Sequence, residues 1–437
     1  TAGYGRARGM NGLNELVATP DGKHVYALAY EDEMVTCFSR NAATGVLLLE
    51  SILSLAEEPE APAGQTLEMG AYLVDMVLSP DGSTLYVAAY RTEAIHVLSR
   101  DPATGALTEV QTVREGENGV VGLTGPSYLA LSPDGAHLYA SLGTYSSGKI
   151  IGFARDTGTG LLTFLEEYEE ASYSGGIYDM LVSSDGNQLY AACQSGIHGD
   201  GLLTLGRDTT TGLLSPIAFQ SDVSEWGLYD PEELALTPDN RFLCVMASWH
   251  DAVGVFSRDE TTGVLTWSST FQYNTELEGD ETYPGFSALT EMELSPDGSM
   301  LLMTGRADRH NASGGNPNRY KEPSALLVLS LDTSDGSLAW EGSFLDGEGG
   351  VGGLNYPRGL VFSPDGADVY AASKVDDAIV HFSAAAKETG LVLAEQLHGG
   401  GGGAPGLSGR LDIAMAPDGR QLYATGEVDD ALVVFNC

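Results

Sequence analysis

A short phrase returns eight times along this chain and limits what it can fold into more than any other feature. It reads TPDG from Thr19, SPDG from Ser79, Ser132, Ser295 and Ser363, SSDG from Ser183, TPDN from Thr237 and APDG from Ala416. Recurrence every fifty to seventy residues means that one supersecondary unit is copied and stacked, since a single copy cannot bury its own apolar faces. The copy around Leu78 shows the unit. VDMVLS runs into Pro80-Asp81-Gly82, a turn whose proline fixes φ and whose glycine permits a positive one. TLYVAAY, AIHVLSR and ALTEVQTV follow, rich in β-branched and aromatic residues, the last two joined by the hairpin Asp101–Gly105. No segment carries a helical period. Four short strands per repeat predict an all-β chain folded as a β-propeller of eight four-stranded blades, with seven as the alternative count. Residues 1–437 read as a single domain, with blade repeats near 11–54, 72–113, 125–169, 177–220, 230–271, 288–344, 356–397 and 409–437.

The last repeat stops at ALVVFNC. If each repeat supplies strands two to four of its blade and then the innermost strand of the next, the innermost strand of blade one is left open. It falls to Thr1–Met10, to residues outside this sequence, or to another molecule, whose strand would satisfy the open edge equally well.

Charge removes several classes of partner. The formal net charge is −40, from 61 acidic and 21 basic residues, so phosphate backbones and anionic bilayers are repelled. No apolar run approaches the length of a membrane span, so neither nucleic acid nor membrane insertion is expected. The chain opens at Thr1 with no apolar leader, which fits a removed presequence or a fragment. Together with the sequon at Asn311 this points to an extracellular or cell-surface setting, with Asn311 as the glycan acceptor. Cys37, Cys193, Cys244 and Cys437 lack metal-ligand spacing and read as strand residues. Only Cys37 and Cys437, on the first and last repeats, leave a bridge open.

Strand alternation puts the PDG and TG turns on one face and the connections of varying length on the other, where a site belongs. Stacking the repeats gives a column near that variable face: Glu15, Asp75, Tyr128, Asp179, Glu233, Glu291, Gly359 and Asp412. Its six carboxylates have two readings. In one they form a crown for Ca²⁺ or a cationic ligand, Ca²⁺ being the only cofactor in view and none being required. In the other each accepts N–H bonds from a loop of the neighbouring blade. On second strands, neighbouring carboxylates would stand about 8–10 Å apart, too far for one ion to gather. The basic residues cluster as well. Arg306, Arg309, Arg319 and Lys321 lie in one insertion and Arg6 and Arg8 in the N-terminal segment, placed to dock on an acidic neighbouring copy or to neutralise carboxylates within the molecule.

SPDG followed by LYVA, with the recurrent R-D-x-x-T-G-x-L turn at Arg100, Arg155, Arg207 and Arg258, resembles the lactonase-type propellers, the 6-phosphogluconolactonase-like and YVTN-repeat proteins. The resemblance implies a propeller of seven blades with Arg, His and Glu at its mouth and a Pro-Arg-His triplet opening a strand. Here the matching triplet is Pro357-Arg358-Gly359, without the imidazole, and His198 and His250 are the loop histidines that could substitute. Two functions follow. One is a non-catalytic extracellular propeller that assembles with copies of itself or binds extracellular ligands, as a fibre or coat subunit. The alternative is a lactonase or lyase acting on a sugar acid or lactone at the axial mouth, with Arg358, His198 and His250 as its catalytic candidates.

Overall fold

The computed structural model describes residues 10–56, 72–143, 148–170, 175–194, 200–221, 227–248, 251–272, 288–306, 323–386, 390–399, 406–409 and 412–437. Eight antiparallel sheets follow one another along the chain, each made from strands adjacent in sequence. Blade one comprises Leu13–Ala18, His24–Ala29, Met34–Arg40 and Leu47–Ser54. Six more four-stranded blades follow, and blade eight has three strands, Ile413–Met415, Gln421–Gly426 and Ala431–Asn436.

The first strands of successive blades touch one another all the way round, including blade eight against blade one. They therefore line the axis. Second strands are buried throughout, as in His24–Ala29 and Thr84–Ala89, while fourth strands such as Leu47–Ser54 are largely exposed and lie outermost.

This corrects the expected phase. The strand before each PDG turn is the innermost of its blade, not the second. Blade one is complete with Leu13–Ala18, and the ring closes on its own chain. The short blade is the eighth, and the strand it lacks among the described residues is the outermost. The reason is physical: inner strands are covered on both faces like second strands, so their apolar runs look alike in sequence.

The cysteine bridge is also corrected, since all four thiols are free. Cys37 Sγ donates to the Gly105 carbonyl of blade two at 3.2 Å, whereas Cys437 is hydrogen-bonded to Tyr370 of blade seven. The two side chains face away from each other across blades one and eight.

Blades join through the repeated turns. Ser79 Oγ donates to Asp81 Oδ1 at 2.5 Å and the Ser83 N–H to the same oxygen at 3.0 Å, while Gly82 takes φ +66° with its Cα side against Pro20 of the previous turn. The arginine of the R-D-x-x-T-G turn then crosses between blades. Arg100 donates to its own blade's Gly82 carbonyl at 3.1 Å and to Asp21 of blade one at 3.0 Å. Arg207 repeats this with Gly186 at 2.7 Å and Asp134 at 2.7 Å. Arg155, Arg258 and, at the eight-to-one closure, Arg40 reach Asp81, Asp185 and Asp418 in the same way. Buried tyrosines complete the first joints, with Tyr26, Tyr86 and Tyr139 donating at 2.7 Å to Gly105, Gly160 and Gly212 of the following blade and Tyr190 at 3.0 Å to Gly263. Burial pushes the Asp21 carboxyl up, but bonds from Thr19 and Arg100 outweigh it and hold the group at about 2. Asp81 and Asp134 sit at about 2 for the same reasons.

Candidate functional site

The carboxylate column lies on the inner strands, and each member accepts a backbone N–H from the inner strand of the next blade. Glu15 takes Met76 N–H at 2.9 Å, Asp75 takes Leu129 at 2.6 Å, and Asp179 takes Leu234 at 2.8 Å. Glu233 takes Met292 at 2.9 Å, Glu291 takes Leu360 at 3.1 Å, and Asp412 takes Leu16 at 2.8 Å across the closure. The neighbour-bonding reading describes this geometry, except that the donors stand on the neighbouring inner strand rather than in a loop. Among the described residues no group of three or more His, Cys, Asp or Glu is disposed to hold a metal ion.

Burial pushes Asp75 and Asp179 up to about 6 and Glu15, Glu233 and Glu291 well above the ordinary carboxyl range. Glu15 and Asp75 also share a hydrogen bond, which requires a proton between them. Burial thus favours the neutral form of these five carboxyls, and the column zips neighbouring inner strands together rather than standing as a ring of free anions.

The column breaks at blades three and seven, where Tyr128 and Gly359 stand in it. Both blades are entered by the same kind of loop. Gly116 and Gly347 donate to Val120 and Val351 at 3.0 and 2.9 Å, and Leu123 and Leu354 N–H are held by Glu115 and Asp346. The loops then diverge. Blade three begins Gly125-Pro126-Ser127, whereas blade seven begins Tyr356-Pro357-Arg358.

Tyr356 stands at the variable-face end of blade seven's inner strand, Pro357–Phe362. Its backbone sits at φ +62°, a region costly for a bulky residue. It is held there by Ser324 Oγ on its N–H at 3.2 Å and by the Lys374 N–H on its carbonyl at 3.0 Å. The ring lies between two guanidinium groups. Arg306, from the end of blade six's second strand, stacks 5.0 Å from the ring centre and donates to the phenol oxygen. Arg358 stacks at 5.4 Å and approaches the same oxygen at 3.4 Å, with its own side chain exposed. Burial raises the phenol's pKa, but the bond and charge of Arg358 and the charge of Arg306 outweigh it and leave it below the ordinary tyrosine value. Nearby, Thr290 Oγ1 donates to the Pro357 carbonyl at 2.7 Å and ties blade six to this strand. A phenol whose ionisation is eased by two guanidinium groups can, once deprotonated, accept a proton from water while the exposed guanidinium stabilises a developing oxyanion.

Arg306 and Arg358, which sequence reading assigned to different roles, meet on one ring. Tyr356 was missed, though its place directly before Pro357-Arg358 was visible. His198, His250, Arg6, Arg8, Arg309, Arg319, Lys321 and Asn311 lie outside the described residues. Among the described residues no helix is long and apolar enough to cross a membrane.

The family described as Lactonase, 7-bladed beta-propeller matches residues 4–121 and 167–278, more than half of the chain. No curated relative matches. Among solved structures, the periplasmic gluconolactonase PpgL of Pseudomonas aeruginosa is 18% identical with TM-score 0.54, over 88% of this chain and 96% of that one. Hydrazine synthase of Kuenenia stuttgartiensis is 18% identical with TM-score 0.54, over 86% and 99%. Sqt1 of Saccharomyces cerevisiae is 11% identical with TM-score 0.64, over 98% and 97%. At these identities the likeness is one of fold.

Proposed function

This chain belongs to the lactonase family of β-propellers, and from that premise we propose that it hydrolyses the lactone of a sugar acid at the variable-face mouth of blades six and seven. The observation that carries the reading is the Tyr356 phenol held between Arg306 and Arg358, the latter at the family's Pro-Arg position. Arg358 stabilises the oxyanion as the carbonyl becomes tetrahedral, and Tyr356 takes the proton of the attacking water. The ring C–O bond then breaks, and the leaving alkoxide recovers that proton to give the hydroxy acid. A neutral lactone is not repelled by a net charge of −40, whereas the anionic product is, which favours its release.

The test is acid release from glucono-δ-lactone, followed against the buffer blank. The expected result is a rate above the blank that rises with pH toward the lowered phenol pKa. Arg358→Ala is expected to lose about 10²–10³-fold in kcat/KM, the scale of a missing oxyanion donor. Tyr356→Phe is expected to flatten the pH dependence. A wild-type rate equal to the blank, or an Arg358→Ala rate equal to wild type, overturns the reading.

Assembly between copies keeps one structural handle. Ala431–Asn436 has its outer edge unpaired among the described residues and could receive a strand from another molecule. Sedimentation that is independent of concentration would remove this second reading.

A further inference from the structure

Each crossing arginine also meets the residue that opens the second strand of the preceding blade, and that residue changes from joint to joint. Arg155 donates to Thr84 Oγ1 at 3.3 Å, while Arg258 and Arg40 donate to the side-chain carbonyls of Gln188 and Gln421. At joints one–two and three–four the position holds a histidine. Arg100 Nη2 lies 2.7 Å from His24 Nδ1, and Arg207 Nη2 lies 2.6 Å from His137 Nδ1. A guanidinium can only donate, so in both pairs Nδ1 is the acceptor and carries no proton. The bond exists only while the ring is neutral.

Both imidazoles are enclosed, His24 at 2% and His137 at 4% exposure. Each sits against the positive-φ glycine of the following blade's TG turn, Gly105 or Gly212, where a Cβ would strike the ring at 2.2 or 2.0 Å. The charged groups around His24 are Arg100, Asp21, Glu50 and Lys23, and around His137 they are Arg207, Asp134 and Asp208. Burial pushes the neighbouring Cys37 thiol up to about 11 and the Tyr139 phenol up to about 12, so neither changes charge in the range where an imidazole does. Arg100 and Arg207 also lean on the imidazole more than the other arginines do on its counterparts. Arg155 and Arg258 bond Tyr86 and Tyr190 through Nε at 2.6 and 2.9 Å, whereas the Nε of Arg100 and of Arg207 is buried without a hydrogen-bond partner.

We propose that His24 and His137 are acid-sensitive latches: a proton taken up at Nδ1 removes the acceptor, sets imidazolium against guanidinium, and loosens joints one–two and three–four while the joints built on glutamine and threonine hold. Burial, and after it the adjacent arginine charge, holds both imidazoles below the ordinary histidine pKa, with Asp21 and Asp134 acting the other way. The native state therefore binds fewer protons at these sites than the unfolded chain. Their contribution to stability is complete above the ordinary histidine value of about 6.5 and is lost as pH falls through the folded value. The raised carboxyls of the inner strands act in the opposite sense, so the latches show as a difference between joints and between variants. They lie on the PDG-turn face, away from Tyr356, and stand whether or not the lactone reading does.

The experiment is urea-induced unfolding of the whole chain at about pH 7.5 and about pH 5, wild type against the double variant His24→Gln, His137→Gln, which copies the acceptor of the glutamine joints. The ratio of the wild-type unfolding constant to that of the variant is expected to rise about tenfold between the higher and the lower pH, whatever its starting value. A ratio that stays constant or falls overturns the proposal. Should the double variant fail to fold, the wild type decides alone, through amide hydrogen exchange corrected for intrinsic rates at the same two pH values. Protection of His24–Ala29 and His137–Leu142 should fall on acidification by at least about threefold relative to Gln421–Gly426, the second strand of a glutamine joint. An unchanged relative protection overturns the proposal.

Discussion

Two arcs of the same ring are built from one repeat and held in different ways. From blade eight through one to five, every joint carries a crossing arginine, from Arg40 on Asp418 to Arg258 on Asp185. From blade five through six and seven to eight, the same position holds leucine, alanine or cysteine, and no arginine crosses from it, although bonds such as Thr290 to the Pro357 carbonyl still tie the blades. The Tyr356, Arg306 and Arg358 cluster lies where blade six meets blade seven, inside the second arc. The carboxylate zip also skips a joint here, from Gly359 of blade seven to blade eight, so the two departures overlap.

The largest way to break this contrast is Arg207→Ala. The side chain is buried and bonds Gly186, Asp134 and His137, so its removal leaves the buried Gly186 carbonyl and His137 ring without this partner. A loss of about 3 kcal/mol in urea-induced unfolding is expected. An effect below about 0.5 kcal/mol would mean that the arginine joints do not differ from the apolar ones.

The zip can be tested by a pair of changes at Glu233. Ala should cost about 2 kcal/mol, because the Met292 N–H is left buried without an acceptor. Gln retains an acceptor and matches the protonated carboxyl, so it should fall within about 0.5 kcal/mol of wild type. Equal costs for Ala and Gln would argue that the group acts through its charge.

Tyr139→Phe, which removes the bond to the Gly212 carbonyl, should cost about 1 kcal/mol. The corresponding Leu302 of blade six has no such bond to lose, and this difference between the arcs is what the variant measures.

The pH profile sharpens the contrast between zip and turns. Asp75 and Asp179, at about 6 when folded, bind more protons in the native than in the unfolded state between their ordinary range and pH 6, so their contribution to stability falls as pH rises through that window. Glu15, Glu233 and Glu291 act in the same direction and extend it upward. Asp21, Asp81 and Asp134, held at about 2, act oppositely, and their contribution is lost as pH falls from about 4 toward 2. Thermal melts should therefore show higher stability at pH 5 than at pH 7, with a decline below pH 4. A steady rise from pH 5 to 7 would contradict the protonated zip.

Much of this was legible in the sequence. The PDG copies counted the blades, because the turn keeps its Asp in every copy, from Asp21 to Asp418, at a set distance from the strands on either side. Six carboxylates in one column also announced a shared task, and acceptance of neighbouring N–H groups was one of the two tasks foreseen. What stayed hidden depends on which strand faces the axis. Leu13–Ala18 and His24–Ala29 are both covered by neighbours, so their composition does not rank them, and blade one seemed to want a strand that it already has. The arginine of R-D-x-x-T-G read as part of a turn, since its partner lies some 73 residues away in another blade. Tyr356 escaped because its importance comes from Arg306, fifty residues earlier in the chain.

Hydrogen exchange of backbone amides tests the two-arc description most directly. At pH 7, the second strands of blades three and four, His137–Leu142 and Gln188–Gln194, should outlast those of blades six and seven, Met300–Gly305 and Asp368–Ser373, by about tenfold or more. Equal protection around the ring, or slower exchange in blades six and seven, would contradict it.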